Sequence, residues 1–163
     1  MTAGTTSVRI ERELSAPIGL VWKMWADPEH FKAWYGPQGA TIPVAEFDLR
    51  VGGRRFVGME VMTPNGAMQM WFTGEHLAVD EPTHLAYTES ISDSHGNVQT
   101  PASMGMPAGH PTTTEVHVNM KASGDHTTMT LVHHGIPAGS PGEMGWLMSL
   151  DKLDAYIHSS TSQ

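Results

Sequence analysis

Apolar and polar residues alternate one by one over much of this chain, and departures from that period mark its helices. Val8, Ile10 and Leu14 share one parity against Arg9, Glu11 and Glu13, the pattern of a half-buried strand. Pro17 opens a short helix through Trp25 that buries Val21, Trp22 and Trp25. A second helix starts at Asp27-Pro28, with Asp27 as N-cap and Phe31 and Trp34 on one face. Gly36-Pro37 ends it. Alternation then returns in stretches 41–49, 55–62, 68–79, 84–91, 113–121 and 127–134, all read as strands. Val51-Gly52-Gly53 and Asp80-Glu81-Pro82 supply turns, Asn65-Gly66 is a hairpin dipeptide because both positions tolerate positive φ, and Ser123-Gly124-Asp125 makes the last hairpin.

The C-terminal segment changes period. Ser140 and Glu143 form a capping box with Pro141 at the first helical position. Trp146, Leu150, Leu153 and Ile157 then recur at spacings of four, three and four, one apolar stripe on a long helix. The order is strand, two short helices, six strands, long helix. It predicts an α+β fold whose antiparallel sheet carries its helices on one face. A curved sheet gripping a lone amphipathic helix leaves a cavity between them, and function is expected there.

With 163 residues the chain is long enough for one domain. That domain is placed at 8–158, with a disordered N-terminal tail at 1–7, a C-terminal tail at 159–163 and a mobile Gly/Pro/Ser-rich loop at 92–111. Seventeen acidic against nine basic residues give a net charge of -8, and no basic stripe is interleaved with aromatics, so nucleic acid is not an expected partner. No cysteine is present, which excludes disulfides and thiolate chemistry. The N-terminus lacks a signal-peptide core and no apolar run reaches membrane-spanning length, so a cytoplasmic location without a membrane partner is expected. The 12 methionines either fill core gaps or line an adaptable apolar pocket.

Several pieces carry a resemblance. They are Ala16-Pro17 with Val21-Trp22, Trp25-Ala26-Asp27-Pro28, Trp34-Tyr35-Gly36-Pro37, the run from Asp48 to Arg54, Asp80-Glu81-Pro82 with the run from Leu85 to Glu89, His133-His134-Gly135-Ile136-Pro137, and the run from Gly145 to Leu153. In that order the chain resembles the START-like (SRPBCC) superfamily, in the bacterial-type, single-domain branch named after the activator of the heat-shock chaperone ATPase. The resemblance implies a helix-grip fold with an internal pocket. Superfamily members bind lipids, sterols or polyketides, and some catalyse cyclisation or hydrolysis. The eukaryotic co-chaperones carry an additional chaperone-binding domain, so the chaperone role is not carried over.

Strand parity nominates the pocket. Met129, Leu131 and His133 share the inner face of the last strand, and Val116, Val118 and Met120 that of the strand before, leaving His117 to solvent. Leu85, Tyr87 and Glu89 share a face, so Glu89 is an acid on an apolar wall. Leu77 and Val79 fix a parity that places Trp71, Thr73 and Glu75 inside; a bulge at Gly74 sends Met70 and Phe72 inside instead. The expected site has Glu89 and His133 as polar anchors in a pocket walled by Trp71, Tyr87, Met129, Leu131, Trp146 and Leu150. Met104 and Met106 of the loop fold over it as a lid, or the loop is a tether.

A carboxyl and an imidazole held together bring acid–base chemistry within reach. The plain alternative leaves Glu89 at a wet mouth and His133 bonded to a backbone carbonyl. No nucleophile, metal set or second acid accompanies the pair, so binding of a small, largely apolar molecule is expected rather than catalysis. The rivals are a cyclase- or lyase-type enzyme and a co-chaperone-like interaction module. His133 and His134 point to opposite faces and cannot chelate together, and the other histidines show no ligand spacing, so no metal and no cofactor is expected. Arg54-Arg55 reads as a solvated strand end. A homodimer is left open.

Overall fold

Ser7–Leu14 (β1) buries Val8, Ile10 and Leu14, as its alternation requires. The structure is a computed structural model describing residues 7–37, 39–100, 112–136 and 138–161. After β1 come α1 (Ile18–Ala26), α2 (Pro28–Trp34), β2 (Thr41–Phe47), β3 (Arg54–Thr63), β4 (Gly66–Asp80), β5 (His84–Ser92), β6 (Thr113–Ser123), β7 (His126–His134) and α3 (Pro141–Thr161). The strands form one curved antiparallel sheet in the order β1-β7-β6-β5-β4-β3-β2. Trp146, Leu150, Leu153 and Ile157 of α3 pack against Met129, Leu131 and their neighbours on its inner face. This is the α+β helix-grip fold read from the sequence.

Local chemistry sets the helix ends. Asp27 ends α1 and caps α2, its carboxylate accepting from the Glu29 amide at 3.0 Å. At the start of α3, Ser140 Oγ accepts from the Glu143 amide at 3.4 Å. The Glu143 carboxylate reaches one residue further back than a capping box predicts and accepts from the Gly139 amide at 2.6 Å. The helix continues to Thr161, past Ile157 where the apolar stripe ends and into the stretch expected as a tail.

β1 and β2 lie at opposite edges of the sheet, so α1 and α2, which join them, cross its inner face. They carry Trp25, Phe31 and Trp34 into the space beneath α3. Trp25 meets Trp34 edge-on at 4.8 Å and Trp146 of α3 at 5.8 Å. Its indole N–H donates to the Met129 sulfur at 3.2 Å, while the Trp34 indole donates to the Met24 carbonyl at 3.0 Å. α3 is fastened to the end of α2: Ser149 Oγ accepts from the Gly36 amide at 3.0 Å, and Lys152 Nζ donates to the carbonyls of Tyr35 and Pro37. Gly36 has φ +97°, with Ala40 and Met59 close to where a Cβ would stand, so only glycine fits this junction comfortably.

The expected cavity is therefore closed beside four of the side chains named for its wall. Tyr87, Met129, Leu131 and Leu150 are each 0 % exposed, so no water-sized void touches them. Aromatic rings from α1 and α2 occupy that volume.

β4 also departs from its expected parity. Pairing to β5 runs regularly from Trp71–Ser92 to His76–Tyr87, then shifts by one residue before Ala78–Ala86. The irregularity sits at Leu77, which is exposed, and not at Gly74. Val79 still faces inward, but beyond Leu77 the inner set becomes His76, Phe72 and Met70. Trp71 falls on the outer face, stacked on Phe56 at 5.5 Å and lying over Gly58. It is not a pocket wall. The expected loop opens with an ordered turn, in which Asp93 Oδ1 accepts from the amides of His95 and Asn97 at 2.8 and 3.0 Å. Met104 and Met106 lie outside the described residues.

Two stability measurements test this packing. Leu150→Trp has no void to enter and is expected to cost about 1–3 kcal/mol by overpacking, read by chemical denaturation; unchanged stability would reveal spare volume beside α3. At Gly74 a Cβ would collide with the Thr88 carbonyl. Gly74→Ala is expected to cost about 2 kcal/mol or more, and a neutral result would mean the strand relaxes there.

Candidate functional site

The sequence pattern puts Glu89 and His133 on the inner face of β5 and β7, and β6 between them supplies Thr114. The Trp146 indole, a donor only, points its N–H at His133 Nδ1 at 2.9 Å. Nδ1 must accept, so the ring proton sits on Nε2, which donates to Thr114 Oγ1 at 2.7 Å. The Thr114 hydroxyl in turn donates to the Glu89 carbonyl at 3.2 Å. One directed chain therefore joins α3, β7, β6 and β5. It departs from the expectation that His133 bonds a backbone carbonyl directly; Thr114 intervenes.

This arrangement holds His133 neutral. Burial pushes its pKa below the ordinary 6.5 and the neighbouring His134 adds to that, while Glu89 opposes them. A second proton on Nδ1 would also face the Trp146 N–H. The 4.0 Å approach of Glu89 Oε1 to His133 Nε2 is thus a contact with a neutral ring and not an ion pair. The other Glu89 oxygen accepts from the Tyr35 hydroxyl at 3.4 Å, the long end of hydrogen bonding. Tyr35 comes from the C-cap of α2 and stacks on Phe31 at 4.4 Å. Burial, then Glu89, then Tyr87 raise its phenol pKa well above 10, against the opposing Arg55, so it remains a donor.

Beside this chain lies Arg55 of β3. Its charge and its place at the start of the strand predict a solvated strand end, yet it is 3 % exposed. It shares parity with Val57 and Met59, and Gly74 directly opposite it on β4 has no side chain to stand in the way. Its guanidinium lies 3.7 Å from the ring centre of Tyr87, 4.8 Å from Phe47 and 4.9 Å from Phe31. Nearby His76 approaches the Gly53 carbonyl through Nδ1 at 3.3 Å, and burial followed by the charge of Arg55 lowers its pKa.

Of the expected site residues, Glu89 and His133 are brought together, with Trp146 bonded to the imidazole. Tyr87, Met129, Leu131 and Leu150 are inside but belong to the packed core. Tyr35, Thr114 and Arg55 join the site without having been nominated. A cleft of about 430 Å³ lined by Glu46, Phe47, Asp48, Arg54 and Phe56 adjoins the Arg55 end of this group through Phe47. On the outer face His84, His117 and His134 form a row of rings 5.7 and 5.4 Å apart, and among the described residues no three metal-ligating side chains converge.

A neutral, buried His133 has a sign that can be checked. Its folded pKa lies below its unfolded value, so the unfolded state binds the extra proton and stability falls as pH drops below about 6.5. His76 acts in the same direction. Stability against pH from 7.5 to 5 is expected to slope less in His133→Gln, whatever that substitution costs at pH 7.5; an identical slope would mean that His133 is free to protonate in the folded protein.

A family model described as Activator of Hsp90 ATPase homolog 1-like protein matches residues 15–158. Solved structures share the architecture. A protein of Chromobacterium violaceum is 24% identical with a TM-score of 0.74, over 93% of this chain and 97% of its own. One of Staphylococcus epidermidis is 24% identical with a TM-score of 0.74, over 98% and 95%. An AHSA1 protein of Silicibacter pomeroyi is 20% identical with a TM-score of 0.71, over 95% and 99%. These likenesses concern the fold. Comparison with curated proteins finds no match. Through the family match across nearly its whole length, the chain belongs to the activator of Hsp90 ATPase homolog 1-like proteins, within the START-like superfamily.

Proposed function

We propose that this chain binds a small, largely apolar molecule between the curved sheet and α3, at the end of the interior where Tyr35, Glu89 and His133 meet. The observation that carries this reading is Glu89. It is a carboxylate on an apolar wall, its side chain is 12% exposed, and among the described residues its polar contacts are one long hydrogen bond and a neutral imidazole. Its acceptor capacity is underused, and that slight exposure marks where the interior meets solvent. Partly buried Met70, Phe72 and Val61 extend the apolar wall.

The cyclase- or lyase-type reading draws less support from the same geometry. Both ring nitrogens of His133 are engaged, so that imidazole is poorly placed to carry a proton. The Tyr35–Glu89 pair is the group left for acid–base work. The interaction-module reading rests on the family's name rather than on a side chain of this site.

Native mass spectrometry of freshly purified protein separates these readings. A co-purified small molecule is expected on the wild type, with occupancy reduced at least about fivefold in Glu89→Gln through loss of a charged hydrogen-bond acceptor. Equal occupancy in both proteins would remove Glu89 from the site. Capture of a macromolecule with no small adduct would favour the interaction module, and the same spectra give the subunit count.

A further inference from the structure

Among the described lysines and arginines, Arg55 alone is buried, and none of the described carboxylates lies within 4.0 Å of it in an ion pair. Glu89, on the same side of the sheet, directs its oxygens to Tyr35 and His133 instead. Aromatic faces stabilise the guanidinium, yet each such contact is weak beside the loss of hydration on burying a full charge. The balance is incomplete in hydrogen bonding too. Arg55 Nη2 is a buried donor without a partner, and so is the Tyr87 hydroxyl, whose ring the guanidinium covers at 3.7 Å. A third buried atom without a partner, His76 Nε2, lies in the same neighbourhood.

Two adjoining donors, one cationic and neither satisfied, are complementary to one kind of group. A carboxylate has two acceptor oxygens and the opposite charge, and it can take a bond from guanidinium and phenol together. A neutral hydroxyl or amide would leave the charge uncompensated. The phenol stays protonated, since burial raises its pKa by more than the Arg55 charge lowers it, with Glu89 adding a smaller upward push, so it can donate.

We infer that Arg55 and Tyr87 form the anion-recognising end of the ligand site, and that the bound molecule is an amphipathic monocarboxylate whose head meets Arg55 Nη2 and Tyr87 Oη once the side chains packed around them move aside, since no void reaches either atom in the closed molecule. The inference deepens the binding reading above and rests on it. Gly74, opposite Arg55, leaves this stretch of the inner sheet without a side chain between Arg55 on β3 and Glu89 on β5. An apolar tail would lie toward Phe72 and Met70 on the same face.

A matched pair of probes tests it. Decanoate and 1-decanol share a chain and differ in the head, and both are titrated below micelle-forming concentrations against tryptophan fluorescence at pH 7.5. Wild-type protein is expected to take decanoate at least about tenfold more tightly. Arg55→Gln should abolish that preference while keeping decanol affinity. Because Arg55 supports three rings, Tyr87→Phe is the companion variant: it keeps the stacked ring, removes only the orphan hydroxyl, and should weaken decanoate about fivefold with decanol unchanged. Equal wild-type affinity for the two probes, or a preference that survives in Tyr87→Phe and in folded Arg55→Gln, overturns the anion site while leaving an apolar pocket standing. Uptake of neither probe overturns the pocket reading and this inference with it.

Discussion

Because β1 and β2 sit at opposite edges of one sheet, the segment between them must travel the whole width of the concave face. That requirement governs the interior. Whatever side chains the crossing segment carries become the filling between sheet and α3, and here they are Trp25, Phe31 and Trp34. The C-terminal helix therefore rests on aromatic rings and not over an empty groove. Polar chemistry is displaced to the end of the interior where α2 finishes, at Tyr35, and where β5, β6 and β7 present Glu89, Thr114 and His133.

The polar cluster divides into two parts of opposite character. The chain from Trp146 through His133 and Thr114 to the Glu89 backbone is closed: its donors and acceptors alternate without remainder. Such a chain fixes the relative placement of helix and strands and fixes the imidazole tautomer. The Arg55–Tyr87 pair is open, with donors that nothing among the described residues accepts. Closed networks suit architecture and open ones suit recognition. Glu89 stands between the two, its backbone engaged in the first and its carboxylate only lightly held.

Much of this was legible in the residues. Alternation located the strands, and the parity of Met129, Leu131 and His133 set the imidazole inside. Spacing along α3 named the four side chains that pack on the sheet. The parity of Leu77 and Val79 does not carry through to Trp71, because a one-residue irregularity at Leu77 reverses every position before it; nothing in the local composition announces that shift. Arg55 failed for another reason. Counting from Val57 and Met59 places it inside, but its charge and its position at the start of β3 outweighed the period. Thr114 shares the inner parity of Val116, Val118 and Met120, but its role depends on which strands are neighbours, and that of Tyr35 depends on where α2 stops.

The junction at Gly36 sets how this molecule can open. Ser149 holds the Gly36 amide and Lys152 holds the last carbonyls of α2, while Trp146 one turn earlier holds His133. Successive turns of α3 are thus riveted to different partners, one to the turn after α2 and one to the sheet. The helix has no free hinge about which to swing alone. Breathing at the Glu89 end must carry α2 and the following turn along with α3, as a single jaw moving against the strands.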